Sequence, residues 1–328
     1  LTGGEAGVEE FRQLADGLWG AQTTKQGTRR VGQGRIAWGM TAAEFLADHG
    51  VAPDLMLTLA NGAPAPETDW IHYRFDGADV YFLAELKGEA REIEASFRID
   101  GRVPELWNPV DGSIREATRF TRGDGRTRVP LALGAYDSYF VVFRQATSET
   151  SRDTAPNIPT WRELSSIAGP WQVTFDAQLG GPAAPVHFPR LIDWLDHPDP
   201  AVRNYSGKAT YRTTFELTAD QARQPLAIEL GEVRGVSIAQ VQLNGTDLGV
   251  SWRPPYRVSL GQAAQAGTNT LEVTVVNSWR NRVMADEKLP ASERITRTNI
   301  RVEHKGRFKW HPEPSGMIGP LRIVTPAR

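Results

Sequence analysis

From residue 70 onward apolar and polar side chains alternate nearly one for one, a period of two that predicts strands. Trp70-Ile71-His72-Tyr73-Arg74 and Ala78-Asp79-Val80-Tyr81-Phe82-Leu83-Ala84 flank Asp76-Gly77, which predicts a hairpin. Further strands are predicted at 91–99, 104–107, 113–120, 128–132 and 138–144, punctuated by Asp100-Gly101, Asp111-Gly112 and Gly123-Asp124-Gly125. Short strands at this spacing predict an antiparallel β-sandwich over 56–150. Residues 145–159 are polar and end in Pro, the signal of a linker. A second strand-rich unit is predicted over 160–328, with strands at 207–217, 225–230, 236–243, 270–276 and 320–325. Asn244-Gly245 supplies the positive φ of a tight hairpin, and Pro254-Pro255 cannot join a central ladder and so marks a crossover or edge.

Before residue 56 the pattern differs. Val8, Phe11, Leu14, Ala15 and Leu18 recur at helical spacing and Gly20 follows, which predicts a helix over 6–19. A strand is predicted at 35–39, and Thr41 is placed to cap a helix over 42–48 that Gly50 stops. This strand–helix alternation reads as the truncated tail of an α/β domain over 1–55. Leu1 is no initiator Met and no export signal follows it, so the start reads as a cut within a longer polypeptide. The fold class expected is mainly β: an α/β remnant, an antiparallel sandwich, then a second strand-rich unit.

Composition narrows the function classes. A formal net charge of -2 provides no basic field for a phosphate backbone, so no nucleic-acid partner is expected. No apolar run approaches the roughly 18 residues of a membrane span, so no membrane partner is expected. The absence of Cys excludes disulfides, thiolate metal sites and a Cys nucleophile. No Gly-x-Ser-x-Gly elbow and no P-loop occur. Ten Trp side chains offer faces for sugar stacking, although core packing is the commoner role of any one Trp in β-rich domains.

An ordered series of phrases then carries a family resemblance. It runs from Tyr205-Ser206-Gly207-Lys208-Ala209-Thr210-Tyr211 through Leu230-Gly231-Glu232-Val233, Val241-Gln242-Leu243-Asn244-Gly245 and Trp252-Arg253-Pro254-Pro255-Tyr256. It continues with Gly267-Thr268-Asn269-Thr270-Leu271, Asn277-Ser278-Trp279-Arg280-Asn281-Arg282 and Ser315-Gly316-Met317-Ile318-Gly319-Pro320-Leu321. This resembles the galactose-binding-like jelly roll of family 2 glycoside hydrolases. It resembles still more the C-terminal region of glycoside hydrolase family 106, the α-L-rhamnosidases, as do Ile71-His72-Tyr73-Arg74 and Glu105-Leu106-Trp107-Asn108-Pro109. The resemblance implies a jelly roll over 160–328 and a parent enzyme that removes terminal sugars from glycosides or polysaccharides. It implies a catalytic (β/α)8 barrel N-terminal to Leu1 as partner, calcium in that parent enzyme, no cofactor in this chain, and a secreted or periplasmic bacterial location. Two alternatives stand beside the accessory-region reading: a stand-alone carbohydrate-binding module, or a structural spacer.

Glycoside hydrolysis normally needs two carboxylates flanking the bond. The catalytic acid and base are left unknown, because no eight-fold βα alternation exists to carry them. Two sets of residues are candidates for substrate binding. His72 and Arg74, two apart on a strand, share a face and could bond sugar hydroxyls, or form a structural ion pair with Asp79 or Glu85. Asn277, Trp279, Asn281 and Arg282 combine an aromatic platform with amide and guanidinium donors. The resemblance to family 2 adds Asp286, with the competing reading that Arg282 pairs with Asp286 or Glu287. No metal site is assigned. Glu303, His304, His311 and Glu313 match no zinc spacing. Asp193, Asp196, His197 and Asp199 suit turn chemistry, with calcium as the alternative. Asn204-Tyr205-Ser206 and Asn244-Gly245-Thr246 fit the glycosylation pattern.

Overall fold

A computed structural model describes residues 4–20, 24–236, 238–299 and 310–327. The chain divides into two compact units, Leu1–Asn157 and Ile158–Arg328. No helix among the described residues is long and apolar enough to cross a membrane.

The first unit opens with a helix, Gly4–Trp19, that ends at Gly20 with positive φ. None of its residues is buried, and Phe11, Leu14, Leu18 and Trp19 lie exposed. Gly27–Val31 and Gly34–Trp38 pair antiparallel with each other. The second helix, Ala42–Asp48, begins as its sequence dictates: the Thr41 hydroxyl accepts from the Glu44 N–H while the Glu44 carboxylate accepts from the Thr41 N–H. The segment before residue 50 is thus helix, antiparallel hairpin, helix.

The rest of this unit is two five-stranded antiparallel sheets. One contains, in spatial order, Ser151–Asp153, Arg119–Gly123, Arg126–Leu133, Arg91–Phe97 and Leu55–Leu59. The other contains Thr68–Phe75, Ala78–Glu85, Ser138–Ala146, Arg102–Trp107 and Ile114–Glu116. Alternate residues turn inward: Tyr81 and Leu83 on one strand, Val129, Leu131 and Leu133 on another, with Phe97 and Phe143 between them. The single strand expected over 113–120 is two, Ile114–Glu116 in one sheet and Arg119–Gly123 in the other.

Asn157 fixes that switch. Its carbonyl Oδ1 accepts from the N–H groups of Thr118 and Arg119, both at 2.9 Å. Its Nδ2 donates to the Arg119 and Pro130 carbonyls at 2.6 and 2.9 Å. The stretch expected to be a linker therefore holds a sheet strand, Ser151–Asp153, and a buried polar hub.

The second unit is also a β-sandwich. A six-stranded sheet is ordered Val186–Phe188, Trp171–Phe175, Lys208–Leu217, Gly267–Val276, Ile238–Leu243 and Thr246–Ser251. A four-stranded sheet is ordered Trp161–Ile167, Leu321–Pro326, Ala227–Glu229 and Arg257–Ser259. Val173, Tyr211, Val241 and Val273 from the first meet Ile228, Val258 and Ile323 from the second in one core. Asn244 and Gly245, both with positive φ, form the expected tight hairpin. Pro254-Pro255 lies outside the ladders, where the chain leaves the larger sheet for the smaller one. Both units give the mainly β, antiparallel class that the alternation predicts.

Candidate functional site

The sequence candidates fall into two clusters, each within one unit. In the first unit, strand pairing sets His72 opposite Tyr81 and Arg74 opposite Asp79. The imidazole stacks on the Tyr81 ring with centroids 4.0 Å apart. His72 Nδ1 lies 2.7 Å from Asp54 Oδ2, and Nε2 lies 3.1 Å from Asp79 Oδ1. Arg74 Nε donates to Asp79 Oδ1 at 3.1 Å and Arg102 donates to Asp79 Oδ2 at 3.0 Å. Asp79 is 3% exposed and carries three cationic or imidazole partners, so its oxygens are already occupied. The ion pair to Asp79 is the one the sequence offered; Glu85 instead meets Arg91. Tyr81 donates to Asp54 at 3.3 Å, and burial, with the Asp54 and Asp79 charges, pushes its phenol well above the usual range.

In the second unit the strand Gly267–Val276 delivers Asn277, and the helix Arg280–Asp286 delivers Asn281, Arg282 and Asp286. All four are buried. Asn277 Oδ1 accepts from the Gly207 N–H at 2.9 Å, and its Nδ2 donates to the Tyr205 carbonyl and the Ser315 hydroxyl at 2.9 and 3.0 Å. Asn281 bridges to Glu313 in both directions, accepting from its N–H at 2.7 Å and donating to its carbonyl at 2.8 Å. The Arg282 N–H donates to Ser206, and its guanidinium pairs with Asp286 at 3.0 Å. The two amides are thus spent on groups within the chain, and Asn281 ties the helix to the segment at Glu313. Trp279, at the helix start, keeps an exposed ring.

Asp286 also accepts from the N–H and hydroxyl of Thr296, both at 2.6 Å. Burial pushes its carboxyl upward, but the Thr296 hydrogen bonds, Arg282 and the Ile295 N–H outweigh that and hold it below the ordinary value. A depressed carboxyl stabilises the fold above its unfolded pKa of about 3.9 and ceases to do so as pH falls through its lower folded value. The second unit should accordingly weaken below about pH 4, and Asp286→Asn should flatten that acid limb in pH-dependent urea unfolding.

Residues outside the candidate set complete both clusters. Asp79 and Tyr81 share the strand Ala78–Glu85 and Asp54 directly precedes Leu55–Leu59 of the other sheet, while Ser206 and the Glu313–Ser315 segment come from far apart in sequence. Their signal was present only as pieces of the quoted phrases, notably Tyr205-Ser206 and Ser315-Gly316. The Asp193–Asp199 segment is turn chemistry: Asp193 caps Trp194–Asp196 and accepts from the Ser315 N–H and Arg234, and Asp199 caps Pro200–Arg203. Among the described residues no group of three or more His, Asp or Glu is gathered as a metal would require. Glu303 and His304 lie outside the described residues. The Asn244 amide is engaged by Ala263, Asn269 and Thr270, and Ser206 is buried, so neither glycosylation pattern presents a free site. A shallow hollow of about 410 Å³ lined by Thr246, Leu248 and Ser259–Ala263 holds no carboxylate or imidazole.

Comparison with known proteins adds a family to this geometry. Residues 3–122 match the sequence model of the family described as alpha-L-rhamnosidase, glycoside hydrolase family 106. A solved rhamnosidase from Novosphingobium sp. PP1Y aligns with 98% of this chain at 33% identity, with a TM-score of 0.78. The chain is glycoside hydrolase-like. The resemblance to family 106 read from the phrases is the one these matches give. A protein of Formosa agariphila carrying a provisional β-glucuronidase name is 28% identical over 264 residues, 72% of this chain. A β-glucuronidase of Ruminococcus gnavus aligns over 50% of the chain at 20% identity and a TM-score of 0.35. This glycoside hydrolase-like chain spans 29% of the Novosphingobium rhamnosidase and 22% of the Formosa protein.

Proposed function

We propose that this chain is the accessory, non-catalytic region of an α-L-rhamnosidase-like glycoside hydrolase that acts on terminal sugars of polysaccharides or glycosides. One observation carries the reading: nearly the whole chain aligns with a rhamnosidase of which it makes up only 29%. The chemistry agrees with it. A glycosidase needs two carboxylates held about 5–10 Å apart around an open sugar subsite. Asp79 and Asp286 are instead buried and ion-paired to arginine within the chain. In this reading the acid, the base and the calcium belong to another part of the polypeptide, and no residue here is assigned to hold the metal. The carbohydrate is the shared partner, and the location is secreted or periplasmic.

The polypeptide encoded by the complete reading frame should hydrolyse an aryl α-L-rhamnoside at least about 100-fold faster than an aryl β-D-glucuronide in parallel assays, a ratio worth roughly 2.7 kcal/mol of transition-state discrimination. A preference for the glucuronide would overturn the rhamnosidase-like assignment. The exposed Trp279 supports a second reading, a sugar-binding module. It requires rhamnose to bind the chain and Trp279→Ala to weaken that binding at least about tenfold, or roughly 1.4 kcal/mol, in calorimetric titration.

A further inference from the structure

The first unit has a sheet with two apolar faces. Cross-strand partners in an antiparallel sheet point to the same side, so the register can be read straight across it. Ile71 stands opposite Phe82, Phe82 opposite Phe140, Phe140 opposite Trp107, and Trp107 opposite Ile114. The next row runs Tyr73, Val80 and Val142, and Phe75 and Ala78 follow. Tyr81, Leu83, Val141 and Phe143 on the same strands fill the core, so these rows lie on the other face. Ile71, Tyr73, Phe75 and Ile114 are 46, 54, 61 and 55% exposed. Across five strands the first row spans about 19 Å, and Tyr73, Val80 and Phe75 extend it along the two strands at one edge. Polar groups bound it on the next row, where buried Val142 is followed by Glu105 and Glu116, and Glu105 accepts from Arg144 and from the Trp107 indole, both at 2.9 Å.

An antiparallel sandwich ordinarily turns polar residues to water on its outer faces. Exposed aromatic and aliphatic side chains clustered on one face and rimmed by polar groups mark an interaction surface. The Ile71–Phe75 row lies on an edge strand, and its side chains do nothing for the core. We infer that the outer face of this sheet, centred on Ile71, Tyr73, Phe75, Phe82 and Trp107, is the docking surface for a further folded domain of the same polypeptide. The inference rests on the accessory-region reading. The argument for this occupant is length: the Novosphingobium rhamnosidase that aligns with 98% of the chain is more than three times as long, and its remainder must pack on something. The occupant is accordingly an intramolecular domain with a complementary apolar face, and this row forms the apolar core of the contact.

Hydroxyl-radical footprinting tests this on two samples, the 328-residue chain and the polypeptide encoded by the complete reading frame. In the shorter sample Tyr73, Phe75 and Trp107 should label readily. In the longer one their labelling should fall by about fivefold or more, as expected when half-exposed side chains join an interface core. Equal labelling in both samples, protection already present in the shorter one, or a reading frame that encodes no further domain would each overturn the proposal. Sedimentation velocity separates the other occupant: if the 328-residue chain is a dimer that Ile71→Ser with Tyr73→Ser makes monomeric, the face belongs to a second copy. Hydrolysis by the 328-residue chain would sink the accessory reading whatever the footprint shows, so the two failures are distinguishable.

Discussion

Asn157→Ala is expected to destabilise the first unit by about 4 kcal/mol. Asn157 is 2% exposed, and its side chain makes four backbone hydrogen bonds at 2.6 to 2.9 Å. Alanine removes both partners' worth of bonding and leaves two N–H groups and two carbonyls buried. Each such orphan costs about 1–3 kcal/mol if water cannot reach it, and partial relaxation brings the sum to the figure given. In a unit of this size 1 kcal/mol moves the midpoint by roughly 3 °C, so thermal unfolding should drop by about 10 °C or more. Asn157→Asp keeps the acceptor and loses the donor, and it should fall between the two. A loss under about 1 kcal/mol would show that the sheet switch at Ala117-Thr118 holds without it.

Asp79→Ala should cost the same unit about 3 kcal/mol. Removing one partner of a buried ion pair is strongly destabilising because the remaining charge has no compensation. Here the stranded groups are Arg102, whose side chain is one-third exposed, and His72, which retains Asp54. Arg74 is mostly exposed, and water replaces its lost bond at little cost. Urea unfolding of the alanine and asparagine variants reads the effect, with Asp79→Asn retaining an acceptor for Arg102 and losing less. If both variants unfold at the wild-type midpoint, His72 and Asp79 are not a structural pair and stand free for another task.

What could be read from sequence was local. The Thr41–Glu44 capping box and the Asn244-Gly245 hairpin depend on residues within four positions of one another, so their chemistry identifies them outright. Strand alternation gave both sandwiches for the same reason. Asn157 was hidden because a polar, Pro-bearing stretch looks alike whether its amide faces water or closes a sheet 40 residues upstream. The split of 113–120 followed from that missing partner. Likewise the amides of Asn277 and Asn281 had the right chemistry for a sugar, and only the fold shows them bonded to Tyr205, Gly207 and Glu313. The family resemblance survived because it rested on an ordered series of phrases, each weak alone.

In the accessory-region reading catalysis lies outside these residues. The measurement that meets it most directly is hydrolysis of an aryl α-L-rhamnoside by the purified 328-residue chain, with and without added calcium. No turnover above the uncatalysed rate is expected in either condition. Turnover that disappears when one carboxylate within the chain is replaced by its amide would contradict it and place the active site here.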